Sequence, residues 1–143
     1  MIEGTILLVD DSTDDVALTM RALRTNSITN NVDVASDGAE ALGYLFPSDH
    51  CRPKPVLILL DLNLPKVSGL DVLRQIRMDE GMQGLPVVIL STSSEDRDIV
   101  ESYHLGANSY VRKPVVFDEF VAAVRVLGLY WLLVNQPLTP KNA

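Results

Sequence analysis

The chain has 143 residues, of which 47% are hydrophobic and 22% are charged, as in an ordinary globular domain. This length predicts one domain with a hydrophobic core. The net charge of −7 argues against non-specific binding to nucleic acid or to an anionic membrane surface.

The sequence also predicts a cytoplasmic protein that does not enter membranes. Cys51 is the single cysteine and cannot form an internal disulfide, so a reducing compartment is the simpler location. The first residues lack the basic region of a signal peptide. The longest apolar stretch, Phe120 to Val134, is interrupted by Arg125 and is shorter than the ~20 residues of a membrane span.

Short apolar runs alternate along the chain with segments of helical periodicity. The predicted strands are Thr5–Val9, Val32–Ala35, Val56–Leu60, Val87–Leu90 and Ser109–Val111. Spacings of three and four predict five helices, marked by Val16/Met20/Leu23, Leu42/Leu45/Phe46, Val72/Leu73/Ile76, Ile99/Val100/Tyr103 and Phe117/Phe120/Val121/Val124. Nearly continuous apolar strands are typical of a parallel sheet covered on both faces. These patterns predict an α/β fold with a five-stranded, doubly wound (βα)5 parallel sheet.

Capping residues support these helix boundaries. The predicted N-caps are Asp11 or Ser12 for the first helix, Ser68 for the third and Ser93-Ser94 for the fourth, with Gly106 ending the fourth. The residues after Val134 form a tail, 135–143, that is too short to be a second domain. We therefore expect one domain over 4–134 and no output domain.

Polar side chains follow four of the predicted strands where each strand ends. They are Asp10-Asp11, Asp61, Ser91 and Lys113. Because parallel strands all end at one edge of a sheet, these side chains should gather at that edge, where such folds bind ligands. Carboxylates, a hydroxyl and a lysine suggest a divalent cation and a phosphoryl group, with Asp61 as nucleophile. Three carboxylates, one Mg²⁺ and one lysine sum to zero charge.

Each of these residues also has a structural interpretation. Asp10 and Asp11 could only cap a helix, and Asp61 could only cap the turn that follows it. Lys113 alone would be read as a surface lysine, and Ser91 as a turn residue. Adjacent acids repel each other unless a cation binds them, so with Asp61 on the same edge the metal interpretation is favoured. Neither His50 nor His104 has a neighbour that indicates a function.

With these motifs in place, the chain resembles the receiver domain of a two-component response regulator. The matching segments are Leu8–Asp11, Asp37–Leu42, Leu60–Pro65, Gly69, Pro86–Thr92, Gly106-Ala107 and Tyr110–Pro114. The intervals of thirty residues from Asp61 to Ser91 and fifty-two to Lys113 are also those of the family. Each motif alone is weak, but the ordered set is specific.

The resemblance implies a flavodoxin-like receiver fold with strand order 2-1-3-4-5, and roles for individual residues. Asp61 would accept a phosphoryl group from a histidine kinase. Asp11 and the carbonyl of Asn63 would bind Mg²⁺ with Asp61, while Asp10 would hold a water on the metal. The other implied roles are phosphoryl binding by Lys113 and a conformational switch by Ser91 and Tyr110. Such a protein is not an enzyme beyond its own phosphorylation and dephosphorylation.

A finer resemblance is to stand-alone regulators associated with phytochromes. It rests on Asp10–Val16, Ala41–Phe46 and Leu129–Val134, and it would make the kinase a bacterial phytochrome or a relative.

The last predicted helix carries two apolar stripes instead of one. The second stripe consists of Val126, Leu129, Tyr130 and Leu133. If this stripe is exposed, it predicts a protein interface. The favoured hypothesis is a two-fold homodimer built on this helix and on neighbouring parts of the fourth helix and fifth strand. The alternative is that the tail segment 137–140 covers the stripe.

Four other functions fit the sequence less well. A phosphatase with an aspartate nucleophile needs a second Asp where Asn63 stands. A receiver used only as an interaction module would have lost part of the site, and this chain keeps all five positions. A DNA-binding regulator is excluded by length and charge unless the chain is a fragment. A flavodoxin is disfavoured because two acids after the first strand would repel a phosphate.

Overall fold

The computed structural model describes residues 3–48, 54–91, 95–113, 117–128 and 131. These residues form one parallel sheet of β1 (Ile6–Val9), β2 (Val32–Ala35), β3 (Leu57–Leu60), β4 (Val87–Ser91) and β5 (Ser109–Arg112). The helices are α1 (Thr13–Thr25), α2 (Gly38–Leu45), α3 (Gly69–Met78), α4 (Asp96–His104) and α5 (Phe117–Gly128), with a short 3-10 helix at Glu80–Met82. The strand order is β2-β1-β3-β4-β5, so the predicted fold and order are confirmed.

The sheet has a hydrophobic core on each face because alternate residues of every central strand point to opposite sides. One core joins odd positions of β1 and their neighbours to α2 and α3, and it includes Leu7, Val9, Ile58, Leu60, Ala41, Leu45, Val72, Leu73 and Ile76. The other joins the remaining positions to α1 and α5, and it includes Ile6, Leu8, Leu57, Leu59, Ala22, Leu23, Phe120 and Val124. Burial on both faces explains why the strand sequences are continuously apolar.

The strand register carries the polar residues to one edge. Val9 pairs with Leu60, and Leu60 pairs with Ile89. The ladder continues one step beyond the apolar runs, because the Asp61 amide donates to the Val9 carbonyl at 3.0 Å. The Lys113 amide likewise donates to the Ser91 carbonyl at 2.7 Å. Backbone pairing therefore fixes the positions from which the candidate site residues project.

Side chains cap two helices as predicted. Ser12 Oγ accepts a hydrogen bond from the Asp15 amide at 3.2 Å, and Ser68 Oγ accepts one from the Asp71 amide at 3.2 Å. Each bond satisfies one of the amides that a helix leaves unpaired in its first turn. Ser12, and not Asp11, is therefore the N-cap of α1, which leaves Asp11 available for another role.

The ends of α4 agree only in part with the prediction. Its N-cap is Glu95, which makes no side-chain capping bond, and the predicted Ser93 and Ser94 lie outside the described residues. At the other end, Gly106 has a φ of +99°. Amide bonds from Gly106 to Tyr103 and from the next residue to Ser102 close the helix in the Schellman pattern, so the predicted glycine cap is confirmed.

The face that α4 presents to the sheet differs from the predicted one. Val100 and Tyr103 are 62% and 49% exposed, whereas Ser102 is fully buried. The Ser102 hydroxyl donates to the Asp98 carbonyl at 2.7 Å, so burial leaves it no unpaired donor. A small serine packs inward here, and the prediction that Val100 and Tyr103 pack on the sheet was wrong.

The last helix is described to Gly128, followed by Trp131. Phe120 and Val124 are buried as predicted, and Val126 is 67% exposed. The predicted continuation to Val134 and the tail 135–143 lie outside the described residues, as do the interface residues Leu129, Tyr130 and Leu133. Among the helices described, none has the length and apolarity needed to cross a membrane.

One buried hydroxyl predicts a stabilising substitution. Thr19 on α1 is 1% exposed, and its Oγ1 has no hydrogen-bond partner among the described residues. Thr19→Val keeps the shape and removes the unpaired group, so we expect about 1 kcal/mol of added stability in urea unfolding. Thr25→Val is the control, because that exposed hydroxyl already donates to the Arg21 carbonyl at 2.9 Å. Equal changes in both variants would contradict the prediction.

Candidate functional site

Three carboxylates converge at the carboxyl edge of the sheet. Asp10, Asp11 and Asp61 each offer an oxygen, and these oxygens all lie within 4.8 Å of one another. Asp10 and Asp61 are 2% and 8% exposed, while Asp11 is exposed. A hard divalent cation binds such oxygens and usually keeps several waters, for which the exposed side leaves access. The donor set therefore fits Mg²⁺, and the predicted residues are brought together.

Lys113 lies against this cluster and not at the surface. Its Nζ donates to Asp10 Oδ2 at 2.7 Å, to Asp15 Oδ2 at 3.0 Å and to Asp61 Oδ2 at 3.2 Å. The Lys113 side chain is 9% exposed. An ammonium has three donors, and all three are used here. Its interpretation as an ordinary surface lysine was wrong.

The two oxygens of Asp61 have different surroundings. Oδ1 accepts a hydrogen bond from the Asn63 amide at 3.3 Å, while Oδ2 faces Lys113. The first contact is the turn-capping bond that the structural interpretation of Asp61 required. Because it uses only one oxygen, capping of the turn and a chemical role for Asp61 are compatible.

Asp15 is the residue that the sequence analysis missed. It stands in the first turn of α1, and its contact with Lys113 depends on packing between distant parts of the chain, which no local sequence pattern shows. With Asp15 counted, four carboxylates face one lysine, so a bound Mg²⁺ would leave a charge of −1 and not zero. The balanced charge predicted from three carboxylates was therefore wrong.

The charges of the site shift the pKa of two groups. Burial raises the pKa of Asp61; the Lys113 charge opposes this, the Asp10 charge adds to it, and the net pKa is above the ordinary 3.8. Burial alone would lower the pKa of Lys113, but its hydrogen bond to Asp10 and the charge of Asp61 outweigh burial and raise it. Lys113 therefore stays charged, whereas an ionised Asp61 is held at a cost to the folded state.

This cost predicts a pH-dependent effect of Asp61→Asn. Because the folded pKa of Asp61 is raised, the folded state binds more protons than the unfolded state just above pH 3.8, and stability falls as pH rises through that window. We expect Asp61→Asn to stabilise the metal-free protein, and by more near about pH 7 than near about pH 4. Urea unfolding at both pH values measures this. A variant less stable than the parent at neutral pH would contradict it.

Ser91 and Tyr110 lie on the last two strands of the sheet, Ser91 on β4 and Tyr110 on β5. Ser91 is fully buried at the end of β4, and its carbonyl accepts from the Lys113 amide. Tyr110 pairs with Ile89 and packs, partly buried, against the core on the α2 and α3 side. The Tyr110 amide donates to Tyr103 Oη at 3.1 Å, which joins β5 to α4. Ser91 is therefore joined to the site through the Lys113 backbone, and Tyr110 is joined to α4 through the Tyr103 hydroxyl.

The loop that follows Asp61 is held by two close approaches. A Cβ added at Gly69 would lie 2.1 Å from the Asp61 carbonyl oxygen, and one added at Gly38 would lie 1.9 Å from the Val67 carbonyl oxygen. Lys66, with a φ of +67°, also pairs with Asp37 at 3.3 Å. The loop that contains Asn63 is thus fixed to both α2 and α3.

Comparison with known proteins gives the family. The response regulator receiver domain model matches residues 6–125. The probable methanogenesis regulatory protein FilR2 of Methanothrix harundinacea is 39% identical over 94% of this chain and 88% of its own length. Response regulator Rcp1 of Synechocystis is 36% identical over 89% of this chain and 88% of its own length.

Two solved structures extend the comparison. The Mn²⁺-bound form of Rcp1 has a TM-score of 0.86 with 34% identity, over 95% of this chain and 99% of that chain. The phosphorylated cyanobacterial phytochrome response regulator RcpA has a TM-score of 0.89 with 35% identity, over 96% of this chain and 100% of that chain. With a family model that spans most of the sequence and relatives matched over nearly their full length, the chain belongs to the response regulator receiver domain family.

Proposed function

We propose that the chain is a phosphoacceptor response regulator that takes a phosphoryl group from a histidine kinase onto Asp61. One observation carries this proposal: Asp10, Asp11 and Asp61 form a cluster of cation-binding oxygens, and Lys113 Nζ lies 3.2 Å from Asp61 Oδ2. The site thus combines a nucleophile, a place for a divalent cation and a fixed positive charge. Phosphoryl transfer depends mainly on such positioning and charge neutralisation.

In the proposed transfer, an Asp61 oxygen forms a bond to phosphorus as the bond from phosphorus to the kinase histidine nitrogen breaks. Asp11, Asp61 and the carbonyl of Asn63 would bind Mg²⁺, and Asp10 would hold a water on the metal. The bound Mg²⁺ would neutralise charge on the phosphoryl oxygens. Lys113 would donate a hydrogen bond to the group added to Asp61, and the Ser91 hydroxyl would donate another. The protein would catalyse only its own phosphorylation and dephosphorylation.

Two relatives support the cofactor and the partner. Rcp1 has been solved with Mn²⁺, and RcpA has been solved phosphorylated and is a phytochrome response regulator. We take the kinase of this chain to be a phytochrome histidine kinase or a relative of one. The chain has a single cysteine, which is consistent with phosphotransfer in the reducing cytoplasm.

Phosphotransfer tests the proposed function. Phosphorylated histidine kinases, including a bacterial phytochrome, should transfer label to the parent in the presence of Mg²⁺ and not in the presence of EDTA. Asp61→Asn should take no label from any of them. A parent that remains unlabelled by every kinase and by acetyl phosphate would reject the phosphoacceptor function and favour an interaction module.

The proposed signal passes through Ser91 and Tyr110. Ser91 adjoins Lys113 through the backbone bond, and Tyr110 pairs with β4 two residues before Ser91. A charge added at Asp61 can therefore act on β4 and β5 through a short path, as phosphorylation switches do.

Dimerisation through the last helix gives a further prediction. Val126 on α5 is 67% exposed, and with Leu129, Tyr130 and Leu133 it belongs to the predicted second stripe. We expect a homodimer through this stripe, and Val126→Glu should shift sedimentation toward the monomer. Val34→Glu is the control, because Val34 is 41% exposed on β2 at the opposite edge of the sheet. A parent that is monomeric with and without a phosphoryl mimic would exclude this dimer.

A further inference from the structure

Asp15 is held in a defined position by the start of α1. Its amide donates to Ser12 Oγ at 3.2 Å, and the Ser12 amide donates to Asp10 Oδ1 at 3.0 Å. Asp10 Oδ2 and Asp15 Oδ2 then both accept from Lys113 Nζ, at 2.7 Å and 3.0 Å. The helix cap and the ammonium thus close a ring that includes Asp10, Ser12, Asp15 and Lys113.

The three acceptors of Lys113 are not equivalent. Asp10 and Asp61 belong to the cluster of oxygens that fits a divalent cation, whereas Asp15 does not. A cation at that cluster competes with the ammonium for the negative charge of Asp10 and Asp61. Asp15 is then the one of the three that can remain wholly with Lys113.

We propose that Asp15 is a positioning residue that keeps the Lys113 ammonium at the acidic edge when a cation and a phosphoryl group engage Asp10 and Asp61. The inference rests on the function proposed above. A lysine head group in a side chain that is only 9% exposed needs a partner, because a buried unpaired charge is costly. Asp15 keeps one of the three ammonium donors, so a donor released from Asp10 or Asp61 can turn toward a phosphoryl oxygen.

The consequence is an effect of Asp15 on cation binding that depends on Lys113. Without the Asp15 carboxylate, the ammonium depends on Asp10 and Asp61 alone, and a cation must compete harder for them. Asp15→Asn should therefore weaken Mg²⁺ binding about fivefold, the size of a partly exposed ion pair. Asp14→Asn is the matched control, because it removes the same charge from an exposed position in the same helix turn.

Calorimetric titration with Mg²⁺ tests this in the parent, in Asp15→Asn and in Asp14→Asn, each with Lys113 intact and with Lys113→Met. With Lys113 intact, we expect only Asp15→Asn to weaken binding about fivefold. In the Lys113→Met background, the two asparagine variants should bind alike. The proposal would be overturned if Asp15→Asn and Asp14→Asn weakened Mg²⁺ binding equally with Lys113 intact. It would also be overturned if Asp15→Asn still weakened binding in the Lys113→Met background, since Asp15 would then act only through its charge.

The ammonium signal of Lys113 in NMR gives a second readout, which a purely structural role would not change. In the parent it should stay protected from exchange with water when Mg²⁺ is added, and in Asp15→Asn it should be lost on that addition. A signal that persists in Asp15→Asn with Mg²⁺ contradicts the proposal. A parent that binds no Mg²⁺ contradicts the proposed function itself, and this outcome is recognised before any substitution is made.

Discussion

Lys113→Met is expected to slow phosphorylation of Asp61 by about a hundredfold, the usual loss when one preorganised donor is removed from a reacting centre. Lys113 Nζ lies 3.2 Å from Asp61 Oδ2. The substitution therefore removes a positively charged side chain that lies next to the position of the added phosphoryl group. It also removes a competitor for the carboxylates of Asp10 and Asp61, so Mg²⁺ should bind at least as tightly as in the parent. If phosphorylation is slower while Mg²⁺ binding is retained, Lys113 acts on the phosphoryl group and not on Mg²⁺ binding.

The rate is measured with acetyl phosphate at saturating Mg²⁺, and circular dichroism checks that the variant is folded. Lys54→Met is the control, because Lys54 Nζ donates to the Gly81 carbonyl near the amino ends of β3 and β4, away from the carboxylate cluster. We expect Lys54→Met to match the parent. Phosphorylation of Lys113→Met at the parental rate would remove Lys113 from the proposed mechanism.

Gly69→Ala is expected to destabilise the protein by about 3 kcal/mol, as overpacking against fixed neighbours does. The added Cβ would lie 2.1 Å from the Asp61 carbonyl oxygen and 2.7 Å from Leu62 Cα. Both are backbone atoms, so no side-chain rotation can relieve the clash and the loop after Asp61 must move. Because Asn63 lies on that loop, Mg²⁺ affinity should fall by about tenfold, a loss of about 1.4 kcal/mol.

Gly43→Ala provides the matched control for Gly69→Ala. Gly43 lies inside α2, and a Cβ added there would meet nothing within 4 Å. Replacing a helical glycine by alanine should stabilise the protein by about 0.5–1 kcal/mol and leave Mg²⁺ binding unchanged. Urea unfolding and metal titration measure both variants. If Gly69→Ala behaved like Gly43→Ala, the close packing of the loop against α3 would not matter to the site.

The strands and the polar edge could be predicted because their signals are local. The apolar run of a strand that is covered on both faces is visible in the sequence. As a result, the predicted end of β4 at Leu90 lies only one residue from its observed end at Ser91. A parallel sheet then places the residues after each strand together. The sequence alone therefore predicts that Asp10, Asp61 and Lys113 lie at one edge of the sheet.

Other features depend on packing across the chain and have no local signal. The contact between Asp15 and Lys113 joins residues 98 apart, and it depends on how far a lysine side chain reaches over the first turn of α1. The buried face of α4 was mispredicted because Ser102 satisfies its hydroxyl within the helix and can pack inward. Hydrophobicity alone would place Val100 and Tyr103 on the buried face of α4.

Chemical trapping of the modified residue tests the central claim most directly. Borohydride reduces an acyl phosphate of aspartate to homoserine, and peptide mass spectrometry then locates the residue. After treatment with a phosphodonor and Mg²⁺, we predict homoserine at position 61 alone, and none when Mg²⁺ is chelated. Homoserine at position 10, 11 or 15, or a phosphorylated protein with no homoserine at all, would contradict the assignment of Asp61 as the phosphoacceptor.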